Sequence, residues 1–226
     1  IAADERRTKV GLPEIQVGLF PGAGGATRVS RMIGLMSSAP VLMEGKMFSA
    51  KNAKMVGIID QVTKKDDLIT EAKNWILSAT DEIITKPWDK KGYRMPGGAP
   101  YHPSGFMTFV GASAMISSKT KNVYPAAKYL LSAIYEGALT NFDTALKIEA
   151  RWFTKILSEK STSNMIRTLF ISKNSLEKGL MRPKKVEKKL IGQIGVIGAG
   201  MMGAGIAHSA ALNNIRVTLI DKDLDS

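Results

Sequence analysis

The sequence predicts an α/β protein built from more than one part, and three observations favour this fold class. Near the N terminus, residues 10–20 alternate apolar and polar side chains like a strand and lead through the glycine-rich loop 21–25 into a helix that begins at Ala26. The middle of the chain carries several segments of helical period. The last observation is an apolar strand, a glycine-rich turn, a helix and a second apolar strand over residues 194–220.

Short elements are expected to follow the first loop and helix. Ser49 should cap a helix that ends at Gly57, and a short strand should follow around Val62. Residues 66–85 have helical period, whereas the glycine and proline content of residues 88–105 predicts a loop. The apolar side of the predicted helix comprises Leu68, Ala72, Trp75, Ile76, Ala79 and Ile83.

The middle of the chain predicts a packed group of helices. Helical period covers residues 126–135, 141–158 and 161–176, and Asn141 and Ser161 are suitable start residues. We expect these helices to form an annex with its own packing. Its aromatic core residues are predicted to be Trp152, Phe153 and Phe170.

A basic connection separates this annex from the last strand–helix–strand unit. Pro183 blocks helix continuation within residues 179–190, and the lysines of this stretch resist burial. The expected domains are therefore 1–117, a helical annex and basic linker over 118–190, and a C-terminal part over 191–226. Because the chain starts with an isoleucine and stops after two strands, we expect it to be an internal piece of a longer protein.

Composition excludes several classes of protein. The 226 residues are 44% hydrophobic and 23% charged, as in an ordinary globular protein, and no run approaches the ~20 apolar residues that span a bilayer. The absence of cysteine excludes disulfides and thiolate metal sites, and no metal site is expected. These features favour a soluble protein in the cytoplasm.

The formal net charge of +12 favours polyanionic partners. Basic residues cluster over 119–128 and 178–189, but aromatic residues for base stacking are not interleaved with them. We therefore predict no nucleic-acid partner. A solvated linker or a surface that meets the phosphates of a small molecule explains the charge better.

The strongest motif is the G-x-G-x-x-G pattern of Gly198, Gly200 and Gly203 between the apolar strand and the helix. Gly198 permits a tight turn, Gly200 lets a pyrophosphate approach the backbone, and Gly203 allows close packing of helix on strand. The amides around Met201 and Met202 would face the phosphates. This arrangement predicts the first β-α-β unit of a Rossmann dinucleotide-binding domain.

The choice of dinucleotide depends on Asp221, which ends the second strand. A carboxylate at this position can bind both ribose hydroxyls and repels a 2′-phosphate, so NAD is favoured over NADP, although Lys222 is adjacent. FAD uses a similar fingerprint and stays an alternative. His208 lies in the predicted helix and is interpreted as a surface or packing residue.

The C-terminal segment resembles 3-hydroxyacyl-CoA dehydrogenases, on GVIGAGMMGAGIA followed by VTLID. The resemblance implies that NAD is bound by the glycine loop, by Met202 and by Asp221. It also implies a catalytic His–Glu pair that this chain does not contain. The cofactor-binding residues predicted here are Gly198, Ala199, Gly200, Met201, Met202, Gly203 and Asp221.

Glu14 is the candidate catalytic residue of the N-terminal part. From the residues alone, a carboxylate beside Pro13 among apolar neighbours suits general acid–base work, but an exposed strand glutamate is the favoured interpretation, because most glutamates are solvated. The segment from Gly11 to Gly25, continued by Thr27, Arg28, Arg31 and Gly34, resembles the second signature of the crotonase family. The resemblance extends over 49–53 and 57–62 and implies a crotonase-like fold that ends in this part of the chain.

In crotonase-like hydratases, two glutamates add water across the double bond of a 2-enoyl-CoA. The resemblance implies that Glu14 is the second glutamate, which holds the water and supplies the proton that reaches the α-carbon. The first glutamate and the oxyanion hole would lie outside this chain, so this piece alone should be inactive. The coenzyme A thioester is then the substrate carrier.

A hydratase segment followed by a dehydrogenase segment, the order of the two resemblances in this chain, is the arrangement of bifunctional fatty acid β-oxidation enzymes. The middle segments support the same family, on Tyr124-Pro125-Ala126, Tyr135-Glu136-Gly137, Glu149-Ala150-Arg151 and Arg167-Thr168-Leu169-Phe170. The family implies a possible thiolase partner. A non-catalytic NAD-binding or scaffold relative is the alternative, and a plain dehydrogenase with a helical extension leaves the N-terminal signature unexplained.

Overall fold

The computed structural model describes residues 1–183, 185–186 and 189–222. These residues fall into two compact units, the first from Ile1 to Lys178 and the second from Gly179 onward. The first unit is mostly helical and the second is a small β-α-β unit. The α/β fold class predicted from the sequence is confirmed.

Residues 10–20 form a turn of 3₁₀ helix, and the strand predicted there is wrong. The 3₁₀ turn covers Pro13–Val17 and ends at Gly18, whose φ is +79°. Pro13 stands at the start of the turn, where its fixed φ is suitable and its missing N–H costs no hydrogen bond. Among the described residues, strand pairing in this stretch is limited to a bridge between Val10 and Phe48.

The glycine loop leads into helix α1, Gly25–Leu42, as predicted. Gly34 breaks this helix with a φ of +79°, and a Cβ there would lie 2.3 Å from the carbonyl oxygen of Pro96. Helix α2, Ala50–Val56, confirms the predicted caps, because the Ser49 side chain accepts a hydrogen bond from the Asn52 amide and Gly57 ends the helix in a left-handed conformation.

The first strand of the fold, β1 (Ala2–Ala3), pairs in parallel with β2 (Val62–Thr63). The single helix predicted over 66–85 is divided into α3, Leu68–Ser78, and α4, Asp81–Ile84. Ala79 and Thr80 are extended between them, and Thr80 precedes a new first turn with two acidic residues. The predicted apolar side is not buried, since Trp75, Ile76 and Ile83 are 40%, 67% and 55% exposed.

The predicted loop over 88–105 is shorter than expected at both ends. A 3₁₀ turn covers Pro87–Asp89, and helix α5, Pro103–Thr120, begins with proline at its first position. Helices α6, Pro125–Ala138, and α7, Phe142–Leu157, follow and confirm two of the predicted helices. Asn141 caps α7 by accepting a hydrogen bond from the Thr144 amide at 2.9 Å.

The third predicted helix of the annex has a different form. It consists of α8, Lys160–Met165, a π-helical segment, Ile166–Ser172, and α9, Lys173–Glu177. Glu159, and not Ser161, precedes its first residue. Phe170 is 59% exposed, so its assignment to the core is wrong, whereas Trp152 and Phe153 pack against the core as predicted.

The core of the first unit lies where α6 and α7 pack against α1 and against each other. Its fully buried members include Phe20, Leu42, Leu130 and Ile156. The helices of the middle of the chain therefore share one core with the N-terminal signature segment. This packing brings α7 directly onto the glycine loop.

The second unit confirms the predicted strand–helix–strand order. Strands β3, Gln193–Ile197, and β4, Arg216–Ile220, are parallel, with Ile197 opposite Ile220, and α10, Met201–Leu212, connects them. Parallel strands end at the same edge of a sheet, so the glycine turn and Asp221 lie side by side. A search of the described residues for a helix that could cross a membrane found none.

Candidate active site and dinucleotide site

Glu14 lies in the 3₁₀ turn with one carboxylate oxygen buried and unpaired. Its Oε2 has no hydrogen-bond partner among the residues that the structure describes. A buried carboxylate oxygen without a partner is costly, and such groups are found where a ligand or water completes the hydrogen bonding. The backbone carbonyl of Glu14 accepts a hydrogen bond from the Leu19 amide at 3.1 Å, which closes the turn.

Side chains on two sides hold this turn in place. Gln16 Nε2 donates to the carbonyl oxygen of Gly45 at 3.0 Å. On the other side, Thr162 Oγ1 donates to the carbonyl oxygen of Gly18 at 3.0 Å in a buried position. The turn that carries Glu14 is thus anchored to the end of α1 and to α8.

The glycine loop that follows is hydrogen-bonded to a buried carboxylate of α7 that the sequence did not reveal as a site residue. Glu149 of α7 is 1% exposed, and its two oxygens accept hydrogen bonds from the Gly24 amide at 2.6 Å and the Thr27 amide at 2.7 Å. Thr27 Oγ1 donates a third, at 2.6 Å. A glutamate at a core-facing position of an amphipathic helix was the one available signal in the sequence.

The ring of Phe153 supports the same loop one turn further along α7. It packs edge-on against Phe20 with 5.7 Å between ring centroids. A Cβ at Gly22 would lie 2.3 Å from the Phe153 ring, so the loop backbone rests on the ring where only glycine fits.

Of the other signature residues, Arg31 has a structural role. Its Nη2 donates to the carbonyl oxygens of Gly137 at 2.9 Å and Thr140 at 2.8 Å, at the end of α6. Burial lowers the pKa of Arg31 and raises the pKa of Tyr93, whose hydroxyl donates to the carbonyl oxygen of Arg31. These contacts join α1 to the end of α6, and none of them involves Glu14.

In the second unit, the glycine turn has the geometry expected for a dinucleotide site. Gly198 has a φ of +97°, and a Cβ at Gly203 would lie 1.7 Å from the carbonyl oxygen of Gly198. A Cβ at Gly200 would meet no atom within 4 Å, so the space in front of this residue is open. Close packing at Gly203 and open space at Gly200 fit the approach of a pyrophosphate.

The start of α10 offers donors for phosphate. The first amides of a helix lack partners within it, and no side chain in the described part of the chain caps this one. Met201 and Met202, the first two residues of this helix, are 89% and 72% exposed. His208 lies exposed on the same helix, in agreement with its interpretation as a surface residue.

Asp221 lies against the glycine turn. Its Oδ2 accepts a hydrogen bond from the Ala199 amide, and its Oδ1 accepts one from the Lys222 amide at 2.7 Å. The hydrogen bond from Ala199 and then that from Lys222 lower the pKa of Asp221. An ionised carboxylate beside the loop suits hydrogen bonds from ribose hydroxyls, so these residues fit NAD.

Comparisons with known proteins match each of the two segments that carry these candidate sites to a family. Residues 1–87 match the enoyl-CoA hydratase/isomerase family, and residues 193–226 match the NAD-binding domain of 3-hydroxyacyl-CoA dehydrogenase. The two matched segments stand in the order hydratase and then dehydrogenase, which is the order of the bifunctional family that the sequence resembles. The resemblance found in the sequence is confirmed for these two segments, and the second match is to an NAD-binding domain.

Two relatives align with the whole chain. The fatty acid oxidation complex subunit alpha of Vibrio vulnificus (strain CMCP6) is 30% identical over 226 residues, which cover 100% of this chain and 31% of that protein. The protein of the same name from Aliivibrio fischeri (strain ATCC 700601 / ES114) is 32% identical, in an alignment that covers 100% of this chain and 32% of that protein. The chain thus spans about a third of the length of these relatives.

Among the described residues, no cluster of side chains is suited to hold a metal ion.

Proposed function

We propose that the protein to which this chain belongs hydrates 2-enoyl-CoA to 3-hydroxyacyl-CoA and oxidises that product with NAD to 3-ketoacyl-CoA, as two steps of fatty acid β-oxidation. The observation that carries the first step is the buried, unpaired Oε2 of Glu14 in a segment of the hydratase/isomerase family. A water molecule held there would complete the hydrogen bonding of the carboxylate. Hydration needs no other reactant, because the hydroxyl adds to the β-carbon and the proton to the α-carbon.

For the second step, we propose that the chain supplies the NAD site and not the catalytic base. The amides of Met201 and Met202 would hold the pyrophosphate, Asp221 would accept hydrogen bonds from the ribose hydroxyls, and Ala199, Gly198, Gly200 and Gly203 would shape the turn. NAD, when bound, accepts the hydride from the 3-hydroxy carbon. We also propose a partner subunit, because the relatives are named as subunits of a complex, and the family resemblance makes a thiolase the candidate. We propose a cytoplasmic location because a sequence without cysteine fits a reducing compartment.

The test is to compare the full-length protein with its Glu14→Gln variant. Hydration of crotonyl-CoA is followed at the enoyl thioester absorbance, and oxidation of added 3-hydroxyacyl-CoA is followed as NAD reduction. We expect Glu14→Gln to lower hydration by about 10²- to 10⁴-fold, the usual contribution of a positioned acid or base, and to leave oxidation unchanged.

Two results would contradict the proposal in different ways. Hydration that persists in Glu14→Gln removes Glu14 from the chemistry. A full-length protein that binds NAD but catalyses neither step supports the alternative, a non-catalytic NAD-binding or scaffold relative.

A further inference from the structure

Glu149 is a buried charge that the proposed chemistry does not use. Its side chain is 1% exposed, and no salt bridge to it was found among the described residues. Removing a carboxylate from water is costly unless hydrogen bonds compensate, and here Gly24 and Thr27 supply three. The carboxylate also lies at the N-terminal end of α1, where the helix dipole favours negative charge.

The residues that Glu149 binds follow directly after the turn that carries Glu14. Thr162 holds the carbonyl oxygen of Gly18 at the end of this turn, and Glu149 holds the amide of Gly24 six residues later. Between these two points, the Phe153 ring lies under Gly22. Side chains of α7 and α8 thus hold the backbone from 18 to 27 at three successive places.

The path of this backbone has little freedom left. Gly24 has a φ of +87°, and its amide is committed to the Glu149 carboxylate. Phe20 is fully buried against the core at the other side of the loop. A displacement of Gly24 would therefore have to be absorbed by the short stretch that leads back to Gly18 and the Glu14 turn.

We propose that Glu149 is a positioning residue for hydration, which fixes the glycine loop and through it the orientation of the Glu14 carboxylate. This inference rests on the proposed function of Glu14. It makes the helices after residue 125 part of the hydratase site, since the residue that orders the loop lies on α7. A change at Glu149 should consequently lower the rate of the hydration step rather than the binding of the thioester.

The experiment uses the full-length protein with Glu149→Gln, which keeps the shape of the side chain but points an NH₂ group at a backbone N–H. We expect kcat for crotonyl-CoA hydration to fall about 10- to 100-fold with KM nearly unchanged, the size expected for a displacement of a catalytic group by about 1 Å. NAD-dependent oxidation should be unchanged. The matched control is Glu159→Gln, where the remaining oxygen can still accept the hydrogen bond from Tyr129 Oη, and it should keep normal hydration.

A cycle with Glu14→Asp separates positioning from general destabilisation. Glu14→Asp keeps a carboxylate but already displaces it, so adding Glu149→Gln should cost much less there than in the wild-type background. An equal loss in both backgrounds, or an active Glu149→Gln, overturns the positioning role and leaves the proposed function intact. A wild-type protein without hydration overturns the proposed function itself.

A second variant covers the case in which Glu149→Gln does not fold. Thr162→Val has the same shape as threonine but cannot donate to the carbonyl oxygen of Gly18. Thr162→Val should also lower kcat for crotonyl-CoA hydration. Its effect should be smaller in the Glu14→Asp background than in the wild-type background. Normal hydration by Thr162→Val would contradict the view that α7 and α8 position the turn.

Discussion

At the scale of single residues, the two sites use opposite electrostatic arrangements. One oxygen of Glu14 is buried and has no partner among the described residues, whereas both oxygens of Asp221 accept backbone hydrogen bonds at the glycine turn. The unpaired oxygen is suited to exchange a proton with a ligand. The paired carboxylate is suited to stay ionised, because its hydrogen bonds with Ala199 and Lys222 lower its pKa.

Gly203 provides a prediction for the dinucleotide site. In Gly203→Ala, the new Cβ would lie 1.7 Å from the carbonyl oxygen of Gly198, so the turn must move and the affinity for NAD should fall by at least about 10-fold. The dissociation constant measured by NADH fluorescence tests this. Gly205→Ala is the matched control, because its Cβ meets nothing within 4 Å and alanine favours a helix. Equal affinities of the two variants would contradict the role of Gly203.

At the scale of elements, the helix caps depend on neighbouring residues in the chain, whereas the helix faces depend on packing against distant residues. Ser49 and Asn141 accept hydrogen bonds from Asn52 and Thr144, as the sequence predicts. Helix α7 places Glu149 and Phe153 on the face that meets the glycine loop. The π-helical segment 166–172, by contrast, has no sequence signal that we recognised, and Phe170 within it is exposed.

The cap of α7 provides a prediction for stability. Asn141→Ala removes the acceptor for the Thr144 amide and should lower the free energy of unfolding by about 1 kcal/mol. Asn141→Asp keeps an acceptor and should cost less. Urea unfolding of the full-length protein, followed by tryptophan fluorescence, measures the change. Asn74→Ala, at an exposed position inside α3, serves as the control and should not destabilise; a similar loss in both variants would argue against the cap.

At the scale of the whole molecule, each site draws its described residues from one compact unit. Glu14, Glu149 and Thr162 lie before residue 178, and the glycine turn and Asp221 lie after it. The domain limits predicted at 117 and 190 remain a prediction. The packing of α6 and α7 on α1 nevertheless joins the predicted annex to the core of the first unit.

This division predicts that changes in the two sites act independently. In the full-length protein, Gly203→Ala should lower NAD-dependent oxidation and leave crotonyl-CoA hydration unchanged. In the double variant Gly203→Ala/Glu149→Gln, oxidation and hydration should both fall, each by the factor seen in the corresponding single variant. Rates of both reactions in the single and double variants provide the measurement, and a fall in hydration caused by Gly203→Ala alone would contradict independence.

The sequence by itself determined the features that depend on neighbours along the chain. The strand–turn–helix–strand over 194–220 and the caps at Ser49 and Asn141 follow from residue types at fixed spacings, because turns and caps are stabilised locally. The family resemblance supplied the role of Glu14.

Tertiary structure alone decided the features that depend on distant partners. The segment Pro13–Val17 is a 3₁₀ helix because Pro13 begins it, Gly18 ends it and contacts on two sides hold it, where apolar alternation alone predicted a strand. Glu149 meets Gly24 across 125 positions of sequence. A spacing rule cannot anticipate such a contact, because the free energy that makes a buried carboxylate acceptable comes from amides that only the folded packing brings to it.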